Sequence, residues 1–361
     1  MRSGRIRRES GLTLVLALAA VAIAALGCGG REETPASTSG GGVKVTKVAI
    51  IAPEKANDFG WNQQGVEGVK AAASSAAAEY IVQDGAGYGD ITPILNQITA
   101  EQPQLIFAWA SGYNTVAPQV ARETQIPTVI IGAGDDANVP GLVTDLETDA
   151  QHGSYLAGIL AAHMNRSGTV AIVVSAEDEN WTKMSGGFIA GVRDTDPGIK
   201  ILYVQIGQAG YADAAGGKRV TQSAIAGGAD VIFGMGDGSS FGMLQACETA
   251  DPPAGSEKVW FIDVIGDKRS LDEEGVYLSS VYWDFTSIDR LAIEQVEAGT
   301  FGRATYYLGL DNGISLLKTA WIPDDVWAEV EAARQGIGDG SIEVPLTRTE
   351  KDVQALLKSG E

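Results

Sequence analysis

Cysteine and histidine are scarce in this 361-residue chain, with two of each. Cys28 lies at the end of an N-terminal apolar run, so Cys247 has no evident partner for an internal disulfide. That excludes a scaffold built on disulfides. Cys247 falls in an apolar helical stretch and reads as a core thiol. No Cys/His cluster, H-E-x-x-H or G-x-x-x-x-G-K-[ST] pattern occurs, so neither a metal ion nor a cofactor is expected. Bases are the second deficit: 26 Lys and Arg stand against 46 Asp and Glu. Four bases (Arg2, Arg5, Arg7 and Arg8) and one acid (Glu9) open the chain, and the remainder carries 22 bases against 45 acids, a net charge of about −23. Such a surface repels nucleic acid and anionic membranes.

Long hydrophobic runs are also few. One uncharged apolar stretch, residues 11–27, follows the arginines and falls short of the roughly 20 residues a membrane span needs. It has the form of a signal peptide. It ends in Ala25-Leu26-Gly27-Cys28, which resembles the lipobox of bacterial lipoproteins with its first two residues exchanged. The resemblance implies cleavage after residue 27 and lipidation of Cys28, a membrane anchor facing away from the cytoplasm. Residues 31–42 are rich in Glu, Thr, Ser, Pro and Gly. That composition cannot bury a core, and 28–42 reads as a flexible tether.

From residue 43 onward some 320 residues remain, too many for one compact core and suited to two lobes. Continuous Val/Ile/Leu/Phe runs predict strands at 45–51, 80–83, 105–109, 128–131 and 142–144. A second series follows at 169–174, 199–206, 231–235, 259–264 and 276–282. Apolar spacing of three and four predicts helices at 63–78, 115–122, 155–164, 183–192, 214–226, 241–249 and 288–296. Continuous apolar strands alternating with helices mean α/β, with mainly parallel sheets flanked by helices. Ligands in such sheets bind beyond the carboxyl ends of the strands. Between two lobes the expected site is the cleft.

Tests for chemistry in those loops fail. Gly238-Ser239-Ser240-Phe241-Gly242 matches a nucleophile elbow between a strand and a helix. Its triad histidine should follow it, whereas His152 and His163 both precede it. Gly132-Ala133-Gly134 opens no clear helix and is a poor dinucleotide loop. No catalytic residue is assigned. Aromatic placement is the positive signal: Trp61, Trp109, Trp181, Tyr211 and Trp283 all fall at strand–loop junctions on the expected ligand side. Rings in a cleft suit a flat ligand.

The run Asp58-Phe59-Gly60-Trp61-Asn62 resembles a motif of the basic membrane lipoprotein (BMP) family, the nucleoside-binding lipoproteins of ABC transporters. Residues 154–162, 187–192, 228–233, 262–264 and 340–345 resemble further segments of that family, in the same order. The resemblance implies a two-lobed type I periplasmic-binding architecture whose chain crosses three times. Lobe 1 would hold 43–148 and 283–305, lobe 2 149–282 and 306–320, with 321–361 a C-terminal extension. It also implies a monomeric, non-enzymatic receptor that hands a purine nucleoside or nucleobase to an ABC permease.

Carried over residue by residue, Asp58, Trp61 and Asn62 would meet the ligand. Tyr211 would stack opposite Trp61, Asp263 would accept ribose hydroxyls, and Gly238 and Ser239 would belong to a glycine-rich binding loop. Three family polar positions are replaced, by Ala52, Gly132 and Trp283, with Asp135 near the second. That pattern points toward a flatter, less hydroxylated ligand. Trp109, Trp181 and Trp283 complete the expected site. The rival readings are the same fold binding a sugar or aromatic compound, a ligand sensor, and an exported nucleoside-processing enzyme.

Overall fold

The computed structural model describes residues 42–359; the expected signal peptide, Cys28 and most of the tether lie outside them. The first sheet is built from β1 (Lys47–Ile51), β2 (Glu79–Gln83), β3 (Leu105–Ala108), β4 (Thr128–Ile131) and β5 (Val143–Thr148). Its helices are α1 (Trp61–Ser75), α2 (Thr92–Ala100) and α3 (Ala117–Thr124). The second sheet uses β6 (Thr169–Val174), β7 (Lys200–Gln205), β8 (Val231–Met235), β9 (Trp260–Ile265) and β10 (Tyr277–Trp283). Around it run α4 (Ala150–Met164), α5 (Glu179–Thr195), α6 (Ala214–Ala226) and α7 (Ser240–Thr249). Then come α8 (Thr286–Ala298), β11 (Tyr306–Leu308), β12 (Ile314–Leu316), α9 (Asp324–Asp339) and α10 (Glu350–Lys358).

The strand orders are β11-β5-β4-β3-β1-β2 and β12-β10-β9-β8-β6-β7. Every pairing is parallel except β10 with β12. Central strands such as β3, β6 and β8 are buried along their whole length, which is why they read as unbroken apolar runs. The edge strands β2 and β7 are more open, with Glu79 and Lys200 exposed at their starts. Charge at an edge discourages pairing with other chains.

The chain crosses between lobes three times, and the second and third crossings differ from expectation. β11 pairs in parallel with β5, register Tyr306↔Leu146 to Leu308↔Thr148, so lobe 1 extends to Leu308 rather than ending at 305. Trp283, expected to open the returning lobe 1 segment, is the last residue of β10 and pairs with Ile314 in the second sheet. Three-residue strands such as β11 and β12 carry too few residues for a periodic signal. The C-terminal helices are fastened to lobe 2. The Thr347 hydroxyl donates to the Thr182 carbonyl at 2.6 Å, and Arg193 of α5 donates to the Leu357 carbonyl at 2.7 Å.

Close helix packing explains several glycines. A Cβ at Gly191 of α5 would stand 2.1 Å from the Tyr155 carbonyl oxygen, and one at Gly158 of α4 2.4 Å from that of Phe188. The segments at 154–162 and 187–192 are therefore the two faces of one tight helix crossing. On the other lobe, α1 packs on α8, where Asp289 is fully buried and neither carboxylate oxygen has a partner among the described residues. Burial, with the Asp284 charge second, holds its carboxyl well above the usual range. A group raised in this way stabilises fully below its unfolded pKa, near 4, and that stability is lost as pH rises through the folded value. Asp289→Asn is therefore expected to match the parent near pH 4 and to exceed it by about 1–3 kcal/mol at pH 8. Urea unfolding at the two pH values measures this, and equal midpoints at pH 8 would contradict it.

Candidate functional site

Beyond the carboxyl ends of the two sheets a cavity of about 350 Å³ separates the lobes. Lobe 1 contributes Trp61 at the start of α1, Tyr88 from the loop after β2, Ala110 to Gly112 after β3, Gly132 after β4, and Glu147 and Thr148 of β5. Lobe 2 contributes Asp178 to Trp181 and Lys183, Tyr211 after β7, Asp237 after β8 and Ile265 at the end of β9.

The loop before α1 is held by its own side chains. The Asp58 carboxylate accepts the N–H groups of Gly60, Asn62 and Gln63 at 3.0–3.1 Å and the Asn62 side-chain amide at 2.7 Å. The Asn62 side-chain oxygen Oδ1 in turn accepts the Glu54 N–H at 3.2 Å. Both residues are buried and outside the cavity. They satisfy donors that a helix start leaves open and so aim Trp61. Its indole stacks on Trp109, centroids 4.9 Å apart, and meets Trp283 and Phe285 edge-on at 6.3 and 5.5 Å. Each of the paired indole N–H groups donates to the other tryptophan's carbonyl, at 3.0 and 3.1 Å. Trp109 and Trp283 are fully buried behind Trp61 and do not line the cavity.

Tyr211 lies nearly parallel to Tyr88 of the opposite lobe, centroids 6.1 Å apart and 22° between planes. The expected partner of Tyr211 was Trp61; the observed one is Tyr88. The Tyr211 hydroxyl donates to Asp178 at 3.0 Å, and the other Asp178 oxygen caps α5 by accepting the Asn180 N–H at 2.8 Å. Trp181 donates its indole N–H to the Ser175 hydroxyl at 3.0 Å.

Several bonds join the lobes. Asp237 accepts the Trp61 N–H at 3.0 Å. Lys268 donates to the Phe59 carbonyl at 2.9 Å. Lys183 pairs with Glu147 at 2.7 Å, and the Thr148 hydroxyl bonds the Asn180 side chain at 2.7 Å. The lobes are thus described in a closed arrangement. Burial, with the Asp58 charge second, holds the Asp237 carboxyl well above the usual range.

The remaining expected residues lie off the cavity. Asp263 is fully buried outside the cavity lining, with Oδ2 paired to Lys268 at 2.7 Å and Oδ1 without a partner among the described residues. Asp135 is exposed on a short turn, Asp135–Ala137, and that loop is tied to β5 by Asp145, which accepts the Ala133 and Gly134 N–H groups at 2.9 Å. Ser239 is buried, and Gly238 precedes it outside the lining. The Ser240 hydroxyl, central to the elbow-like motif, is bonded to the Gly236 carbonyl. Among the described residues no group of His, Cys, Asp and Glu is arranged to hold a metal, and no helix is long and apolar enough to cross a membrane.

The model of the Bmp family, described as ABC transporter substrate-binding protein PnrA-like, matches residues 45–346. The chain belongs to the Bmp family. It is 25% identical over 362 residues to the "ABC transporter nucleoside-binding protein BmpA" of Lactococcus lactis subsp. cremoris (strain MG1363), covering 91% of this chain and 97% of that one. Its fold matches an ABC transporter solute-binding protein from Conexibacter woesei DSM 14684 with a TM-score of 0.68 at 21% identity, over 83% of this chain and 99% of that one. A second, from Aeropyrum pernix K1, gives 0.74 at 17% identity, over 87% and 98%. As a Bmp protein the chain is an ABC transporter substrate-binding protein, of a class that works outside the cytoplasm and passes small ligands to a permease.

Within this Bmp cleft, Trp61, Trp181 and Tyr211 are the residues picked out in the sequence that the structure brings together. Asp237 and Asp178 carry no motif signal in the sequence, although both lie in loops that follow strands, β8 and β6. The visible signals in those loops are the Gly/Ser pattern of 238–242 and Trp181. Tyr88 follows an edge strand whose loop had no aromatic or motif signal beyond Tyr88 itself.

Proposed function

We propose that this Bmp protein takes a purine nucleoside or nucleobase in the interlobe cleft and acts as a receptor, not an enzyme. It would work as a monomer held at the membrane by a lipid on Cys28 and deliver its ligand to an ABC permease. The observation that carries the ligand reading is the near-parallel pair Tyr88 and Tyr211, one ring from each lobe, on the wall of a cavity that is also lined by Trp61 and the buried Trp181. A flat ring inserted between two others needs about 7 Å between their centroids, twice a contact of about 3.5 Å. The observed 6.1 Å is reached from that separation by a small closing of the lobes. The nucleoside-binding description of the Lactococcus relative supports the same class. Ribose recognition would fall to Asp178 or Asp237, because Asp263 is already paired.

The test is thermal unfolding of the full-length protein, refolded to strip bound ligand, against purines, pyrimidines and their nucleosides. A ligand at a hundred times its dissociation constant is expected to add about 2.7 kcal/mol. Tyr88 is 52% exposed, so Tyr88→Ala should leave the ligand-free midpoint unchanged and remove most of the ligand-induced rise. If no base or nucleoside moves the midpoint of the folded protein, the ligand assignment is wrong and the substrate lies in another class of small solute.

A further inference from the structure

The cleft's lining is unbalanced in charge. Glu147, Asp178, Glu179 and Asp237 face the cavity, and Lys183 is the only base among the lining residues. That base is taken: its ammonium lies 2.7 Å from Glu147 and 3.3 Å from Glu179. Among the described residues no cation is bonded to Asp178 or Asp237, and the buried Lys268 ammonium, itself paired with Asp263, acts on Asp237 only from a distance. Asp178 is bonded to a phenol and a backbone N–H. Asp237, 5% exposed, accepts one backbone N–H through Oδ1 and has no donor to Oδ2 among the described residues. Asp178 is part-buried and Asp237 buried, and a carboxylate withdrawn from water without a bonded cation is costly. Burial raises the carboxyl pKa of both residues.

The four rings around these acids are Trp61, Tyr88, Trp181 and Tyr211. Aromatic faces attract cations through their quadrupole, and cages of such rings are a common way to hold ammonium and alkylated nitrogen. A carboxylate beside the cage adds a direct counter-charge.

We propose that the cleft selects a ring-bearing solute that carries a positive charge, with Asp178 and Asp237 as its counter-ions and the aromatic rings as its walls. The proposal rests on the cleft being the ligand site of the preceding section and specifies the charge of what enters. The same lining excludes anionic solutes such as phosphorylated nucleosides, since no unpaired base is there to receive them.

The experiment is calorimetric titration of the full-length protein at pH 7 with two matched pairs and one anion. The pairs are adenosine with 1-methyladenosine, which is cationic at this pH, and nicotinamide with 1-methylnicotinamide. The anion is adenosine monophosphate. The expected result is that the cation binds at least tenfold tighter than its neutral partner in one pair or both, with no binding of the monophosphate. Less than a tenfold preference in both pairs, including no binding of either cation, overturns the proposal, as does the monophosphate binding as well as adenosine.

The nucleoside reading fails separately. Binding of 1-methylnicotinamide with neither adenosine compound would sink that reading and keep the charge. Adenosine binding with no cation preference would do the reverse. Asp178→Asn and Asp237→Asn should each cut the preference severalfold, and asparagine keeps both the helix cap at 178 and the acceptor for Trp61 at 237. A preference that persists in the double variant overturns the assignment to these two residues.

Discussion

Lys268→Met is expected to lower the free energy of unfolding by about 3–5 kcal/mol, read from urea denaturation at pH 7. Lys268 and Asp263 are both fully buried, with 2.7 Å between ammonium and carboxylate. Removing the ammonium leaves a carboxylate that cannot reach water, and burial already raises its pKa. Replacing both partners by apolar side chains removes the stranded charge, so Lys268→Met with Asp263→Leu should regain most of the loss. A single-variant cost below about 1 kcal/mol would show the pair to be hydrated rather than buried. The double variant also isolates a second role. Lys268 donates to the Phe59 carbonyl across the cleft, a bond that no apolar pair restores.

Trp61→Ala is expected to cost about 3–5 kcal/mol in stability and to abolish ligand binding as well. The indole faces the cavity on one side, but its other contacts are a core: the stack on Trp109, the edges of Trp283 and Phe285, and the reciprocal bonds with Trp109. Removing it takes the front wall from three buried rings. Tyr88→Ala is the contrasting variant, since that ring is half exposed and its hydroxyl is bonded, among the described residues, only to Glu54 at 3.3 Å. Denaturation midpoints of the two variants without ligand should differ by the full cost of the tryptophan. Equal midpoints would mean that the aromatic cluster contributes little to the lobe.

The architecture was legible because parallel strands buried on both faces leave unbroken apolar runs, and β1, β3, β4, β6 and β8 do so. What escaped was short or weakly patterned. α2 is nine residues long with two buried side chains, Leu95 and Ile98. β11 and β12 have three residues each.

In the site, residue type was readable and direction was not. Successive residues at a strand end point to opposite faces, so a tryptophan there can turn to the ligand or to the core. Trp109 and Trp283 turned to the core. Asp58 and Asn62 carry the chemistry of ligand-binding groups, yet the same acceptors and donors close their own helix start. Sequence cannot separate those uses without the backbone. Asp263 illustrates a further limit: its counter-ion Lys268 is only five positions away, but the pairing depends on the loop folding back beneath the strand end.

The third crossing also bears on how the chain is made. The edge strand that completes the first sheet is residues 306–308, paired with residues 146–148. A ribosome that has released all of 42–148 has therefore not yet supplied what the N-terminal lobe needs to close. The second lobe waits as well, because β12 ends at Leu316 and the helices packed on α4 and α5 come later still. Neither lobe can reach its finished form during most of synthesis, and both are completed within the last sixth of the chain. Long-range strand pairing of this kind slows folding, and it keeps the nascent polypeptide loose until translation is nearly over.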